Sequence, residues 1–137
     1  MPFVLDASVT LAWCFDDEQN PAAERAIGSL SSAGDGLVPG IWLFEVANAL
    51  VGAQRRQRLD EPGLARVRGL LSELPLTVAP MSIAEALGPV ADLARTHGLS
   101  AYDASYLYVA MREGVPLATI DGQLRDAAGR AGLPLMG

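Results

Sequence analysis

Four acidic residues stand where carboxylates could act together. Asp6 ends a short apolar run, Phe3-Val4-Leu5, and Asp121 ends another, Ala118-Thr119-Ile120. Glu45 sits in Ile41-Trp42-Leu43-Phe44-Glu45-Val46-Ala47-Asn48-Ala49-Leu50, where nearly every neighbour is apolar and no basic residue lies within one helical turn. A carboxylate in such surroundings is poorly solvated, and Glu is rarely buried without a partner. Asp103 follows Ser100 at the start of a helical stretch. Carboxylates gathered within ~4–6 Å repel and raise one another's pKa, so a set of four needs a counter-charge. The chain has no lysine, and all ten basic residues are arginine. The natural counter-charge is a hard divalent cation. Oxygen-only ligands suit Mg2+ or Mn2+, and the absence of Cys/His clusters argues against Zn2+. Such an ion keeps open positions that bind phosphate oxygens and activate a water for in-line attack. Each acid also has a plainer reading. Asp6 and Asp121 stand where Asp caps helices, Asp103 fits the acidic half of a capping box with Ser100, and Glu45 fits an ordinary helix surface.

The composition narrows the classes. At 137 residues, 50% hydrophobic and 19% charged, the chain is long enough to bury a core and is expected to form one domain over residues 1–137. No apolar run approaches the ~20 residues of a membrane span, and the N-terminus lacks a basic flank and cleavage site, so a cytoplasmic protein is expected. One cysteine, Cys14, excludes an internal disulfide framework, and one histidine, His97, excludes a two-histidine ribonuclease mechanism. The missing lysine removes nucleotide-loop and Schiff-base chemistry. A net charge of −6 is not that of a generic nucleic-acid binder, so any such role needs a local basic patch or bound cations.

The elements that must position the acids alternate between strand and helix. Phe3–Leu5, Leu37-Val38, Leu76–Val78 and Pro116–Ile120 read as short strands, and Leu133–Met136 as a fifth. Residues 7–15 read as a helix, and Asn20-Pro21 opens another to about Leu30. Gly34-Asp35-Gly36 marks a turn. Ile41 to about Arg58 is helical, with Trp42, Val46, Ala49 and Ala53 on one stripe. Further helices are predicted from Asp60-Glu61-Pro62 to about Leu74, from a Ser82–Glu85 capping box to about Thr96, from Ser100 to about Glu113, and after Asp121. Short buried strands alternating with helices predict an α/β fold, a three-layer α/β/α sandwich on a short, mainly parallel sheet. Sites in such folds lie at the carboxyl ends of the strands, near the switch in strand order.

These residues resemble a known family. Val4-Leu5-Asp6-Ala7-Ser8, Glu45-Val46-Ala47-Asn48-Ala49-Leu50, Gly98-Leu99-Ser100-Ala101-Tyr102-Asp103-Ala104-Ser105-Tyr106 and Pro116-Leu117-Ala118-Thr119-Ile120-Asp121-Gly122-Gln123-Leu124 are similar, in order, to the motifs of PIN-domain ribonucleases of the VapC type, the toxins of VapBC toxin–antitoxin modules. The family's acidic quartet falls on Asp6, Glu45, Asp103 and Asp121, its auxiliary hydroxyls on Ser8 and more loosely Thr119, and a frequent polar partner on Asn48. The resemblance implies Mg2+- or Mn2+-dependent endonucleolytic cleavage of RNA, a homodimer, and inhibition by a small VapB-type antitoxin. Asp6, Asp103 and Asp121 would hold the principal metal, and Glu45 would complete the site, orient water or recruit a second ion. Water attack leaves 5′-phosphate and 3′-hydroxyl ends.

The remaining features have two readings each. Arg55, Arg56, Arg58, Arg66 and Arg68 straddle one inter-helix turn, as an RNA-backbone strip or as solvated cations at a helix end. Trp13, Phe15, Trp42, Leu43 and Phe44 are expected in the core. Leu43 and Leu50 lie off the main stripe, and a second apolar face there would suit the antitoxin's amphipathic segment. Tyr102 and Tyr106 line an RNA cleft, make a dimer contact or fill space. Cys14 is expected in the core, His97 at a helix cap, and Asp16-Asp17-Glu18 as a solvated loop. Two alternatives remain. A phosphotransfer domain of the receiver or dehalogenase kind lacks its lysine here, and Ser8 stands where a dehalogenase has its second acid. A non-catalytic PIN-like binding module has no use for four repelling acids.

Overall fold

Four short strands, β1 (Phe3–Leu5), β2 (Gly36–Val38), β3 (Leu76–Val78) and β4 (Leu117–Ala118), form the sheet of the computed structural model, which describes residues 2–15, 20–30 and 35–136. The expected turn residue Gly34 and the run Asp16-Asp17-Glu18 lie outside the described residues. All strand pairs are parallel, in the order β3-β2-β1-β4. Successive strand residues face opposite sides of a sheet. Phe3, Val4 and Leu5 are all at 0% exposure, so β1 is covered on both faces. The chain order runs outward from β1 through β2 to β3 and returns to β4 on the other side, so the switch lies between β1 and β4. Asp6 leaves the carboxyl end of one of those strands, and Thr119 and Asp121 follow the other.

Two expected strands come out shorter. β4 stops at Ala118 because the next free amides, of Ile120 and Asp121, bond to the hydroxyls of Ser8 and Thr119 rather than to a ladder. The expected strand Leu133–Met136 reduces to one parallel bridge, Leu117 to Leu135. Pro134 offers only its carbonyl there, to the Leu117 amide.

The helices are α1 (Ala7–Cys14), α2 (Pro21–Ser29), α3 (Ile41–Arg55), α4 (Glu61–Ser72), α5 (Ile83–Glu85), α6 (Ala91–His97), α7 (Ala101–Glu113) and α8 (Gly122–Arg130). α1 packs on α2 and α3, while α7 packs on β1, β4, α6 and α8. Asn20 caps α2 by accepting from the Ala22 and Ala23 amides, and Asp60 caps α4 by accepting from that of Gly63. α3 ends at Arg55 rather than near Arg58. Gln57 turns left-handed (φ 60°), and the Arg58 amide closes back onto the Ala53 carbonyl at 2.8 Å. Its buried stripe is Trp42, Val46, Leu50 and Ala53, so Leu50 belongs to the core and Ala49 is only half-buried. The Trp42 indole N–H donates to Thr10 Oγ1, tying α3 to α1. Phe15 and Trp42 are core as expected and Trp13 packs against the core half-buried, but Leu43 and Phe44 are exposed. Cys14 is a buried core residue whose thiol is pushed up to about 11 by burial.

The helix expected from Ser82 to Thr96 is interrupted by a π-helical segment, Ala86–Val90, containing Pro89. Proline has no N–H for the regular ladder, and the wider turn absorbs it. The capping box is complete in both directions. Glu85 spends Oε1 on the Ser82 amide and Oε2 on the Tyr108 hydroxyl (2.5 Å) and Arg112 Nη1 (2.9 Å), locking α5 to α7. His97 does not cap α6; its Nδ1 accepts from Arg130, and Gly98 makes the left-handed turn (φ 65°).

The Tyr108 hydroxyl first, then the Ser82 amide and Arg112, hold the Glu85 carboxyl down to about 2. Its contribution to stability is therefore present above the ordinary Glu range and lost as pH falls toward 2. Glu85→Gln is expected to be less stable than wild type at pH 6, with the gap closing between about pH 4.5 and 2. Urea unfolding across that range checks this, and a gap constant with pH contradicts it.

Candidate active site

Asp6 occupies the N-cap position of α1, yet its side chain makes no cap bond. Its Oδ2 instead accepts from Ser8 Oγ and Thr119 Oγ1, both at 2.6 Å. Each hydroxyl in turn accepts a backbone amide, Ser8 that of Ile120 (3.3 Å) and Thr119 that of Asp121 (3.1 Å). The end of β1 and the end of β4 are thus joined through one carboxylate oxygen. Asp121 does cap its helix, with Oδ2 accepting from the Leu124 amide. Asp103 lies in the first turn of α7. The Ser100 hydroxyl accepts its amide at 3.1 Å, forming only the forward half of the expected box. Glu45, on the second turn of α3, accepts from the Tyr106 hydroxyl at 2.6 Å.

The four acids face one cavity. Asp6, Glu45, Asp103 and Asp121, with Ser8, Asn48, Ala7 and Leu11, line a pocket of about 300 Å3, and none of its lining residues is basic. Thr119 lies behind it, 2% exposed.

A PIN domain family profile matches residues 3–130. Ribonuclease VapC3 of Pyrobaculum aerophilum is 34% identical over 126 residues, spanning 92% of this chain and 94% of that protein. The chain belongs to the PIN-domain family, in its VapC group. Solved PIN-like structures agree with the fold. A Pyrobaculum aerophilum protein superposes with a TM-score of 0.66 at 25% identity, covering 93% of this chain and 84% of that one. FitAcB from Neisseria gonorrhoeae gives 0.68 at 17% identity, covering 100% and 97%. VapBC2 from Rickettsia felis, bound to a DNA fragment from its promoter, gives 0.68 at 13% identity, covering 98% and 97%.

In this PIN domain the acids feel one another. Burial pushes the Asp6 carboxyl up, its two hydroxyl partners pull it back, and Asp121 raises it again. Burial also raises Glu45, the Tyr106 bond opposes it, and the charges of Asp6 and Asp103 add to the rise. Asp103 is raised by burial, then by Asp6 and Asp121. Among the described residues no three His, Cys, Asp or Glu side chains stand as a ready metal-holding group. The donor set nevertheless fits a hard cation in its chemistry: oxygen donors only, mutually repelling, with no basic side chain in the cavity wall.

This PIN domain places the arginines elsewhere. Arg55 is ten residues beyond Glu45 on α3, about 15 Å along the axis, and Arg56 and Arg58 follow in the turn. Arg58 covers the Phe15 ring at 4.9 Å. Arg68 lines an apolar groove of about 500 Å3 with Trp42, Leu43, Val46, Leu50 and Leu64 of α3 and α4, and Arg66 is exposed on α4. Sequence reasoning missed two supports. Tyr106 is 0% exposed and holds Glu45 rather than lining a cleft. The signal was there, since a buried tyrosine hydroxyl needs a partner and Glu45 lacked one. Arg125 donates to the Thr119 carbonyl, steadying the end of β4.

Glu45→Gln keeps an acceptor for Tyr106 and removes one repelling charge. With solvent screening at this half-buried position, metal-free protein at pH 7 is expected to gain about 1 kcal/mol, or ~3 °C in Tm. Because the folded carboxyl is raised, the gain vanishes as pH falls below the unfolded Glu value. Thermal unfolding in EDTA reads this, and a Tm below wild type at pH 7 contradicts it. Tyr106→Phe removes the bond that opposes the Glu45 shift, so the Glu45 carboxyl is expected to titrate higher still. Carbon-13 NMR of the side-chain carboxyl follows that titration, and an unmoved midpoint rules out the tyrosine's electrostatic role.

Proposed function

We propose that this chain is a Mg2+- or Mn2+-dependent endoribonuclease, the toxin of a type II toxin–antitoxin module, working as one nuclease unit over residues 1–137. The observation that carries the reading is the cavity that four carboxylates, three at helix starts and Glu45 on the second turn of α3, line without one basic residue. The name of the 34% identical relative, a ribonuclease, supports RNA as the substrate.

Asp6, Asp103 and Asp121 would hold the ion, with Glu45 as a further ligand or as the acceptor that orients the attacking water. When bound, the ion would supply acidity to that water and positive charge beside the scissile phosphate. Ser8 and Thr119 fix the Asp6 carboxylate by donating to one of its oxygens. Tyr106 does the same for Glu45, engaging Oε1. Asn48 lies one turn beyond Glu45 in the same wall and offers an amide to phosphate or water. Because water attacks, the products carry 5′-phosphate and 3′-hydroxyl ends and the RNA 2′-hydroxyl is not consumed.

The groove between α3 and α4 is the proposed seat of a cognate VapB-type antitoxin, since its apolar lining suits the apolar face of an amphipathic segment. The arginines Arg55, Arg56 and Arg58 are proposed to draw the RNA backbone toward the molecule. The protein is proposed to act as a cytoplasmic homodimer. Among the described residues no helix is long and apolar enough to cross a membrane.

Wild type is expected to cleave RNA with Mg2+ or Mn2+ and to stop in EDTA. Asp103→Asn is expected to lose at least ~100-fold in rate, the scale of removing a principal electrostatic group, while keeping its circular dichroism spectrum and antitoxin binding. Cleavage by this variant at the wild-type rate, or by wild type in EDTA, overturns the proposal.

A further inference from the structure

Phe44 and Tyr102 are unusual for this molecule. Both are large and aromatic, yet 70% and 61% exposed, in a chain with only 6% aromatics. Each is the residue immediately before an acid of the cavity, Phe44 before Glu45 on α3 and Tyr102 before Asp103 on α7. One residue is ~100° of helix rotation, so each aromatic flanks its acid on the neighbouring face. The two helices bring them into the wall of one recess of about 510 Å3, together with Ile41, Ala47 and Val51. That recess adjoins the acid cavity: Glu45 and Asn48 line both.

We infer that Phe44 and Tyr102 form a stacking shelf for an unpaired nucleobase of RNA next to the scissile phosphate. The inference rests on the ribonuclease reading and names how the substrate is gripped. The recess is walled by two aromatic side chains and by Ile41, Ala47 and Val51, and it shares Glu45 and Asn48 with the acid cavity. It carries no cation, so it does not suit a phosphate; it suits a neutral planar ring that stacks on the aromatics and offers a polar edge to Asn48. A base hangs from the same nucleotide as the phosphate, so an RNA whose phosphate faces the acids must put a base in an adjoining space. Stacking of this kind tolerates every base, because each has a π-face. A base inside a duplex is already stacked and cannot enter. The shelf therefore selects single-stranded segments and favours a purine over a pyrimidine through its larger face.

The test uses the full chain and a labelled single-stranded oligoribonucleotide that wild type cleaves, with versions carrying an abasic site at each position flanking the cut. Cleavage of the intact oligonucleotide by wild type establishes the ribonuclease reading independently; without it that reading fails first. Phe44→Ala and Tyr102→Ala are expected to raise KM about 10-fold each with kcat little changed, the pattern of lost ground-state binding, at unchanged Tm. Phe44→Trp and Tyr102→Phe restore it. One flanking abasic site raises KM for wild type about as much, and adds nothing further in Phe44→Ala. The inference is overturned if wild type cleaves but the alanine variants keep the wild-type KM. It is also overturned if abasic sites and alanine substitutions add independently. Loss of dimer or of antitoxin binding in these variants, with KM unchanged, assigns the shelf to a protein partner and overturns it too.

Discussion

The strand-end half of the acid cavity is referred to a single carboxylate oxygen. Asp6 Oδ2 accepts hydrogen bonds from the Ser8 and Thr119 hydroxyls, and those hydroxyl oxygens accept from the amides of Ile120 and Asp121. A buried carboxylate without partners costs several kcal/mol, and hydrogen bonds to a charged group return ~1.5–3 kcal/mol each. The knot therefore makes an almost fully buried acid tolerable, and it sets where β4 ends relative to β1. Because Asp121 begins its helix from that point, its position follows from the same bonds. The parallel pairing of β1 with β4 at the switch in strand order is what puts the two chain ends within reach.

The other half of the cavity is built from helices and is held more loosely. Glu45 has one neutral donor, Tyr106, and among the described residues no side chain donates to the Asp103 carboxylate. Their carboxyls are raised by burial and by neighbours, so the folded chain carries an electrostatic load at neutral pH. Nothing in the fold requires that load. Proteins keep such destabilising clusters where a ligand of opposite charge relieves them, and stability is then exchanged for function.

The fold class, the parallel sheet and the shared placement of Asp6 and Asp121 were legible because strand ends and caps are local signals. Glu45 was legible as an anomaly, a carboxylate in an apolar run, and Tyr106 explains it from sixty-one residues away. That distance is why the partnership was not read. A pairing between helices depends on how they pack, and nothing near Tyr106 in the sequence names Glu45. The off-stripe reading of Leu50 and the core reading of Leu43 and Phe44 failed for a smaller reason. Periodicity chooses a stripe to within one residue, and the packing of α3 on α1 through Trp42 and Thr10 rotates the stripe toward Leu50 and leaves Leu43 and Phe44 outside. The π-helical turn at Pro89 was likewise invisible, since proline announces a break but not its form.

That rotation of α3 has a consequence for the site. Burying Leu50 with Trp42 and Val46 turns Glu45 half inward, toward Tyr106, and turns Phe44 fully outward. On α7 the cause differs: Tyr102 shares a face with buried Tyr106 and Val109, and Asp103 with buried Leu107 and Ala110, so Tyr102 owes its exposure to its place in the first turn rather than to its face. On α3 the core stripe, the acid and the exposed aromatic are consecutive around the helix, so one rotational setting fixes all three. A core substitution that twists α3 must displace acid and aromatic together, in the same sense and by similar angles. The chemistry of the cavity and the apolar surface beside it are therefore coupled through packing, without any direct bond between them.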